Sequence, residues 1–327
     1  MKKQTIIGII FILIVLSSTI FVMSYLHHYY INKNYIGNGI FLNLIAFVSN
    51  IIIGAFGFRL VSNFEKSSVE WLLFVSSPVF LLLLVMFLEI CGVSVEGYAA
   101  WISIGPSEVH YLQVLLYLLF LCTPVGIDGV IKKNFKYEEI IFSSISFLNT
   151  MILVFTKDIQ GVIWYSLFSL VYYFLKRGIR IMPIGAVAIP VICGLRYGVF
   201  NMTPFVIYEK IAEAQEYKYA YRYPLISMQH EFSVLAVVLV ISLEVLICYL
   251  LKVYIKKYVI DAYKMRANFL CSVITAMWGI GIILDLMPFE TLLFGSTSFS
   301  TNESFICLIP ILIILMLGKK EEQNGMN

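Results

Sequence analysis

The sequence predicts an all-α fold, a polytopic transmembrane helical bundle of about ten spans with N and C termini cytoplasmic. Three observations predict it. The chain of 327 residues is 60% hydrophobic and 13% charged, with a mean hydropathy of +0.90, whereas soluble domains carry roughly 25% charged residues. Its apolar residues run in continuous blocks with no ten-residue alternation, so each block satisfies its backbone hydrogen bonds as a helix, not as a barrel strand. Lys and Arg are also sorted to one side of the alternating loops, as the positive-inside rule requires.

The apolar blocks fall at 5–26, 37–61, 71–91, 109–124, 140–155, 161–175, 181–200, 232–251, 268–286 and 304–317. Ten spans of about 20 residues occupy roughly 200 positions. What remains suffices for loops and ends, so residues 1–327 read as a single membrane domain. The first block follows Lys2 and Lys3, is long, and lacks a small-residue cleavage site, which makes it an anchor and not a signal peptide. The blocks on either side of 156–160 are close enough to be one long segment, but Lys157 and Asp158 are costly in hydrocarbon and place an interfacial turn there.

With the N-terminus inside, seventeen of the 23 basic residues fall on the inner side, among them Lys132, Lys133, Lys176, Arg177, Arg180, Lys252, Lys256 and Lys257. Six fall outside: Lys33, Lys157, Arg196, Lys210, Lys218 and Arg222. The inner loops are short, basic and explained by topology. The outer loops 92–108, 156–160, 201–231 and 285–303 are richer in chemistry, and a site built from loops is built from these. The largest, 201–231, is an extracytoplasmic loop between spans seven and eight, and residues 205–212 within it suit a short amphipathic helix lying on the leaflet. It ends in Gln229-His230-Glu231-Phe232, a carboxylate at the threshold of an apolar block. There Glu231 can stay hydrated and still touch a lipid-linked substrate; it also suits a plain N-terminal charge favouring the helix dipole.

Several classes are excluded. The six cysteines lie in or beside apolar blocks, form no CxxC pair and read as small buried hydrophobes. His27, His28 and His110 have no acidic or thiol partner at ligand spacing, so no metal site is assigned. No Gly-rich phosphate loop or GxSxG turn occurs, no internal repeat is evident, and a net charge of +3 implies no nucleic acid partner.

The run from Gly97 through Trp101 and Gly105 to Pro106-Ser107-Glu108 resembles the Gly-x-x-Arg-Trp-Ile-x-Leu-Gly and Pro-Ser-Glu signature of the SEDS family, fused by a deletion. That family comprises the shape, elongation, division and sporulation proteins, such as RodA and FtsW. Thr156-Lys157-Asp158 resembles its Gln-Pro-Asp, and His230-Glu231-Phe232 its Thr-Asp-Phe. Leu286-Met287-Pro288-Phe289-Glu290-Thr291, followed by Ser298-Phe299, resembles its Leu-Leu-Pro-x-Thr-Gly and Ser-Tyr-Gly-Gly-Ser-Ser region. The matches recur in order, on one face and between the corresponding spans.

The resemblance implies a multi-pass protein of the bacterial cytoplasmic membrane. It implies a peptidoglycan glycosyltransferase that polymerises a lipid-linked disaccharide beside a class B penicillin-binding transpeptidase. The family's catalytic Asp falls on Glu231, and Trp101, Glu108, Asp158 and Ser298 fall on substrate-binding positions; no cofactor is assigned. The chain departs from the family at Ala100, where an Arg stands, and at Tyr111, where a Lys stands, so two cations suited to a pyrophosphate are missing. Ser300-Thr301-Asn302-Glu303 replaces Gly-Gly-Ser-Ser and adds a negative charge. Those departures motivate a second reading, a non-catalytic scaffold that binds and positions a cell-wall synthase. A lipid-linked glycan transporter is disfavoured, because translocation paths need several intramembrane charges and the apolar blocks carry few.

Overall fold

Blocks of Leu, Ile, Val and Phe without a turn signal have no economical state in hydrocarbon except the helix. The computed structural model describes residues 2–31, 56, 59, 63, 69–91, 93–95, 98–104, 107–133, 137–156, 159–197, 225, 229, 232–286 and 308–318. In chain order the elements are α1 (Lys3–Ile31), α2 (Trp71–Val75), α3 (Ser77–Cys91), β1 (Val93–Val95), β2 (Tyr98–Ile104), β3 (Ser107–His110) and α4 (Tyr111–Lys132). They continue with α5 (Glu138–Phe155), α6 (Ile159–Arg177), α7 (Ile181–Arg196), α8 (Val234–Tyr258), α9 (Asp261–Leu286) and α10 (Leu308–Met316). Most of the block 37–61 and most of the loop 201–231, including the expected leaflet helix 205–212, lie outside the described residues.

The fold is helical, as expected. Within it β1, β2 and β3 form a three-stranded antiparallel sheet in the order β1-β2-β3 where a loop was expected. Gly92, Gly97 and Gly105-Pro106 interrupt any helix there, and paired strands satisfy the backbone in its place. The fourth span does not stop at Pro124. That proline lies inside α4, which runs on to Lys132. The expected break between the fifth and sixth blocks is present: α5 ends at Phe155, Thr156 Oγ1 donates to Leu153 O at 2.6 Å, and α6 begins at Ile159.

The chain divides into two compact units. Unit 1 comprises Met1–Gly54, Ile207–Glu290 and Ser296–Asn327, and unit 2 comprises Ala55–Val206 and Thr291–Gly295. In unit 1, α8 packs against α1, α9 and α10, with Ile6, Ile10, Val240, Leu251, Ile274 and Ile314 buried between them. Tyr254 Oη donates to Leu315 O at 2.7 Å, and Val259 bridges Gly318, which ties the end of α8 to the end of α10. Leu235, Val238, Val245 and Leu246 face outward on the same helix. A helix apolar on all sides belongs in lipid. Among the described residues, α5 and α8 are long and apolar enough to cross a bilayer.

In unit 2, α5 packs against α3, α6 and α7, and α2 lies along α4. The interior is partly polar. Ser77, Thr123, Ser143, Ser146, Asn149, Thr150, Ser166 and Ser169 are all buried. Asn149 Nδ2 donates to Ser77 Oγ at 2.7 Å and to Tyr165 Oη, so one amide on α5 joins α3 and α6. Interhelical hydrogen bonds in membranes average about 0.6 kcal/mol and reach about 1.7. Asn149→Ala therefore lowers stability by about 2 kcal/mol and Tyr165→Phe by about 1, read as thermal midpoints in detergent. An Asn149→Ala protein as stable as the parent would show that the amide is not a cross-link.

One end of unit 2 is laced by ion pairs. Lys132 meets Glu70 at 2.8 Å, Lys176 meets Asp128 at 3.0 Å and Arg180 meets Glu139 at 3.8 Å. Arg177 grips Glu138 through Nε at 2.9 Å and Nη2 at 2.6 Å, and this hydrogen bonding raises the guanidinium pKa, so Arg177 stays charged. These residues come from the foot of α2, the end of α4, the start of α5, the end of α6 and the approach to α7. They are the ends that alternating spans bring to one side. The sheet, which follows α3 and precedes α4, occupies the opposite end of this unit and packs on both helices.

Candidate functional site

The sheet positions two of the expected site residues. Trp101 on β2 pairs with His110 on β3, and Ser103 pairs with Glu108. Antiparallel partners share a face and residues two apart along a strand share it too, so positions 101, 103, 108 and 110 lie on one face of the sheet. Trp101 also pairs with Val93 on β1, and the register slips by one before Val95 meets Tyr98, a bulge that bends the strand carrying Ala99 and Ala100. Ile104 pairs with Ser107 at the end of the β2–β3 ladder. Ala100 lies within β2 and Tyr111 at the first position of α4.

Glu231 lies outside the described residues, whereas Gln229 and Phe232 onward are described. The Ser233 amide donates to Gln229 O at 3.2 Å, and α8 begins at Val234. Ser233 has φ 95° and ψ 166°, a conformation that only glycine adopts without strain. Ser233→Gly should keep the fold and raise stability by about 1 kcal/mol, while Ser233→Ala, which keeps the β-carbon, should not. Equal midpoints for all three proteins in detergent would remove the strain from the account.

Asp158 and Ser298 also lie outside the described residues. The structure therefore places positions 101 and 108 on one sheet face in unit 2. Arg196 ends α7, exposed, at the end of unit 2 remote from the ion pairs. Among the described residues no group of three His, Cys, Asp or Glu is arranged to hold a metal ion. Cys248 and Cys271 are buried as expected, whereas Cys91 and Cys193 are exposed on apolar helices.

Two buried groups were missed by sequence reasoning. Glu244 is buried half-way along α8, beside Leu243, Ile247 and Cys248. The signal was present, since it is the sole charged residue in the block 232–251, and a carboxylate at that depth is costly. Asn149 gave no comparable signal, because an Asn among serines and threonines is unremarkable until its partners on other helices are known.

The ion-paired end, the sheet at the opposite end and the outward apolar faces define a polytopic helical membrane fold. Solved structures share it. One is a chain of a peptidoglycan synthase complex, described for its structural coordination of polymerization and crosslinking, with a TM-score of 0.54 and 14% identity over 93% of this chain and 96% of that one. Another is a mutant of the Rod shape determining protein RodA of Thermus thermophilus, with a TM-score of 0.53 and 14% identity over 94% of this chain and 98% of that one. The fold of this chain is RodA-like over nearly its whole length. No family model and no curated protein matches the sequence.

Proposed function

We propose that this chain is a SEDS-type protein of the bacterial cytoplasmic membrane, one multi-pass domain with both termini inside, that polymerises a lipid-linked disaccharide into peptidoglycan. The observation that carries the reading is the RodA-like fold over 94% of the chain, on which the motif pieces recur in order. Glu231 acts as general base. It takes the proton of an acceptor sugar hydroxyl, the hydroxyl oxygen bonds to the donor anomeric carbon, and the lipid pyrophosphate departs with the electron pair of the broken bond. A base has to come within about 2.6–3.2 Å of that hydroxyl. Trp101 and Glu108, on one sheet face, shape the cavity that admits the lipid, with Asp158 and Ser298 as further substrate contacts. The large outer loop 201–231 between spans seven and eight borders this site.

A class B penicillin-binding transpeptidase is the proposed partner, supported by the likeness to a chain of a peptidoglycan synthase complex. The test is polymerisation of a fluorescent lipid-linked disaccharide by the purified protein in vesicles, alone and with a transpeptidase. Glycan chains are expected. A second reading, a non-catalytic scaffold for a synthase, is favoured by Ala100 and Tyr111, which leave the hairpin and the start of α4 without the two expected cations. Well-folded protein that makes no polymer yet co-purifies with the transpeptidase would establish the scaffold in place of the enzyme.

A further inference from the structure

The interior of unit 2 carries polar atoms that its own side chains leave without partners. Among the described residues Ser143 Oγ, Ser146 Oγ and Asn149 Oδ1 are buried and meet no donor or acceptor. They step along α5 at three-residue intervals, one ridge of the helix about 9 Å long at a rise of about 1.5 Å per residue. A hydroxyl in a helix can turn onto the carbonyl one turn back, as Thr150 Oγ1 does to Ser146 O at 2.7 Å. The Asn149 amide has no such recourse. One of its ends is pinned by Ser77 and Tyr165, and exchanging its oxygen and nitrogen still leaves the other end without a partner.

Polar groups on the neighbouring helices stand at the same depths. At the ion-paired end Tyr172 Oη donates to Asp128 Oδ2 at 2.8 Å, and Lys176 meets the same carboxylate at 3.0 Å. Ser169 lies a turn deeper on α6, and Ser166 a further turn, where its Oγ is 3.4 Å from Thr150 Oγ1. Tyr165, fully buried, ends the series at Asn149 and also bonds Thr123 on α4. Pro124 follows directly, and it has no amide hydrogen to give the Phe120 carbonyl, which loses its α-helical donor at this depth.

We propose that unit 2 binds a short file of about three water molecules, running from the Asp128–Lys176 corner past Ser143 and Ser146 to Asn149. Water is the ligand that this chemistry selects. It donates and accepts from one small atom, so the same molecule serves an amide end of either polarity, a hydroxyl or a carbonyl. Leaving such groups dry inside a bundle surrounded by hydrocarbon is costly, and ordered water is a usual way in which membrane helices satisfy groups freed by a proline. The corner lies at the helix ends, where the file meets the aqueous phase. The proposal rests on the membrane fold and on no enzymatic activity.

The test irradiates the purified full chain in detergent with X-rays in heavy-oxygen water and reads the label on each buried tyrosine by mass spectrometry. Radicals formed from a bound water attack the side chain beside it even where bulk solvent does not reach. Tyr165 is expected to take up label at least about tenfold faster than Tyr254, which is equally buried in unit 1 and gives its hydroxyl to Leu315 O. Ser146→Ala removes one water-binding group without adding bulk, and should slow labelling of Tyr165 at least about twofold at an unchanged thermal midpoint. Asn149→Leu, of similar volume, should bring Tyr165 down to the level of Tyr254. Equal labelling of the two tyrosines in the parent, or labelling of Tyr165 that Ser146→Ala leaves unchanged, would overturn the proposal. So would a midpoint that rises with sodium or potassium chloride and not with choline chloride at equal ionic strength, which would assign the site to a cation. A chain that shows the file but never polymerises glycan leaves this inference standing and removes the enzymatic one.

Discussion

Replacing Gly129 by Leu is expected to abolish the packing of α2 on α4 and to leave no cooperatively folded unit 2. The reason is backbone contact. A β-carbon at position 129 would press on the Trp71 amide and lie 2.8 Å from the Glu70 carbonyl carbon and 2.9 Å from Glu70 Cβ. One turn earlier, a β-carbon at Gly126 would lie 2.6 Å from Phe74 N and 3.0 Å from Phe74 Cα. Neither neighbour is the far end of a flexible side chain, so neither can yield without moving α2. Small residues three and four apart let membrane helices approach this closely.

What α2 carries makes the displacement costly. Phe74 is fully buried, stacks on Phe142 at 5.5 Å, and Phe142 stacks on Tyr173 at 4.0 Å, so α2 is clamped to α5 and α6. Glu70 holds Lys132, and Trp71 lies beneath Lys133 at 4.9 Å. Overpacking typically costs about 1–3 kcal/mol where side chains can adjust. Gly129→Ala should reach the upper end of that range, and Gly129→Leu should exceed it. Thermal midpoints and size-exclusion profiles in detergent are the measurement. A Gly129→Ala protein with the parental midpoint would mean that α2 and α4 are further apart than described.

Glu231→Gln is the second large effect, expected to reduce polymerisation by about 10²–10⁴-fold, the usual worth of a positioned general base. The amide is nearly isosteric and cannot accept the hydroxyl proton, so folding and lipid binding should survive. Glu231→Asp shortens the side chain by one methylene and restores the carboxylate length that the resemblance implies, so it should retain far more activity than Gln. Loss in both with intact folding would show that reach, and not only basicity, decides the activity. Undiminished polymer from the Gln protein would remove Glu231 from the chemistry.

Much of this was legible in the chain itself. Helices cover the described blocks because apolar backbone in lipid has few alternatives, and the break between α5 and α6 was readable from Lys157 and Asp158 because charge is costly there. The gathering of basic residues at one end of unit 2 follows from their sorting among the loops. The order of the motif pieces pointed to the fold later seen in the RodA-like likeness. Glu231, Asp158 and Ser298 lie outside the described residues, so for them the sequence remains the source of the assignment.

The sequence by itself determined which segments are helical and which loop ends are basic, because hydropathy and charge act residue by residue against lipid and water. Only the tertiary structure decided that residues 93–110 pair as a sheet with positions 101 and 108 on one face, since strand register depends on partners elsewhere in the chain. It alone decided that Gly126 and Gly129 face the backbone of α2, that Asn149 ties α3 to α6, and that Glu244 is buried against its neighbours. Each of these depends on distances between segments remote in sequence, which hydropathy and charge along the chain do not encode.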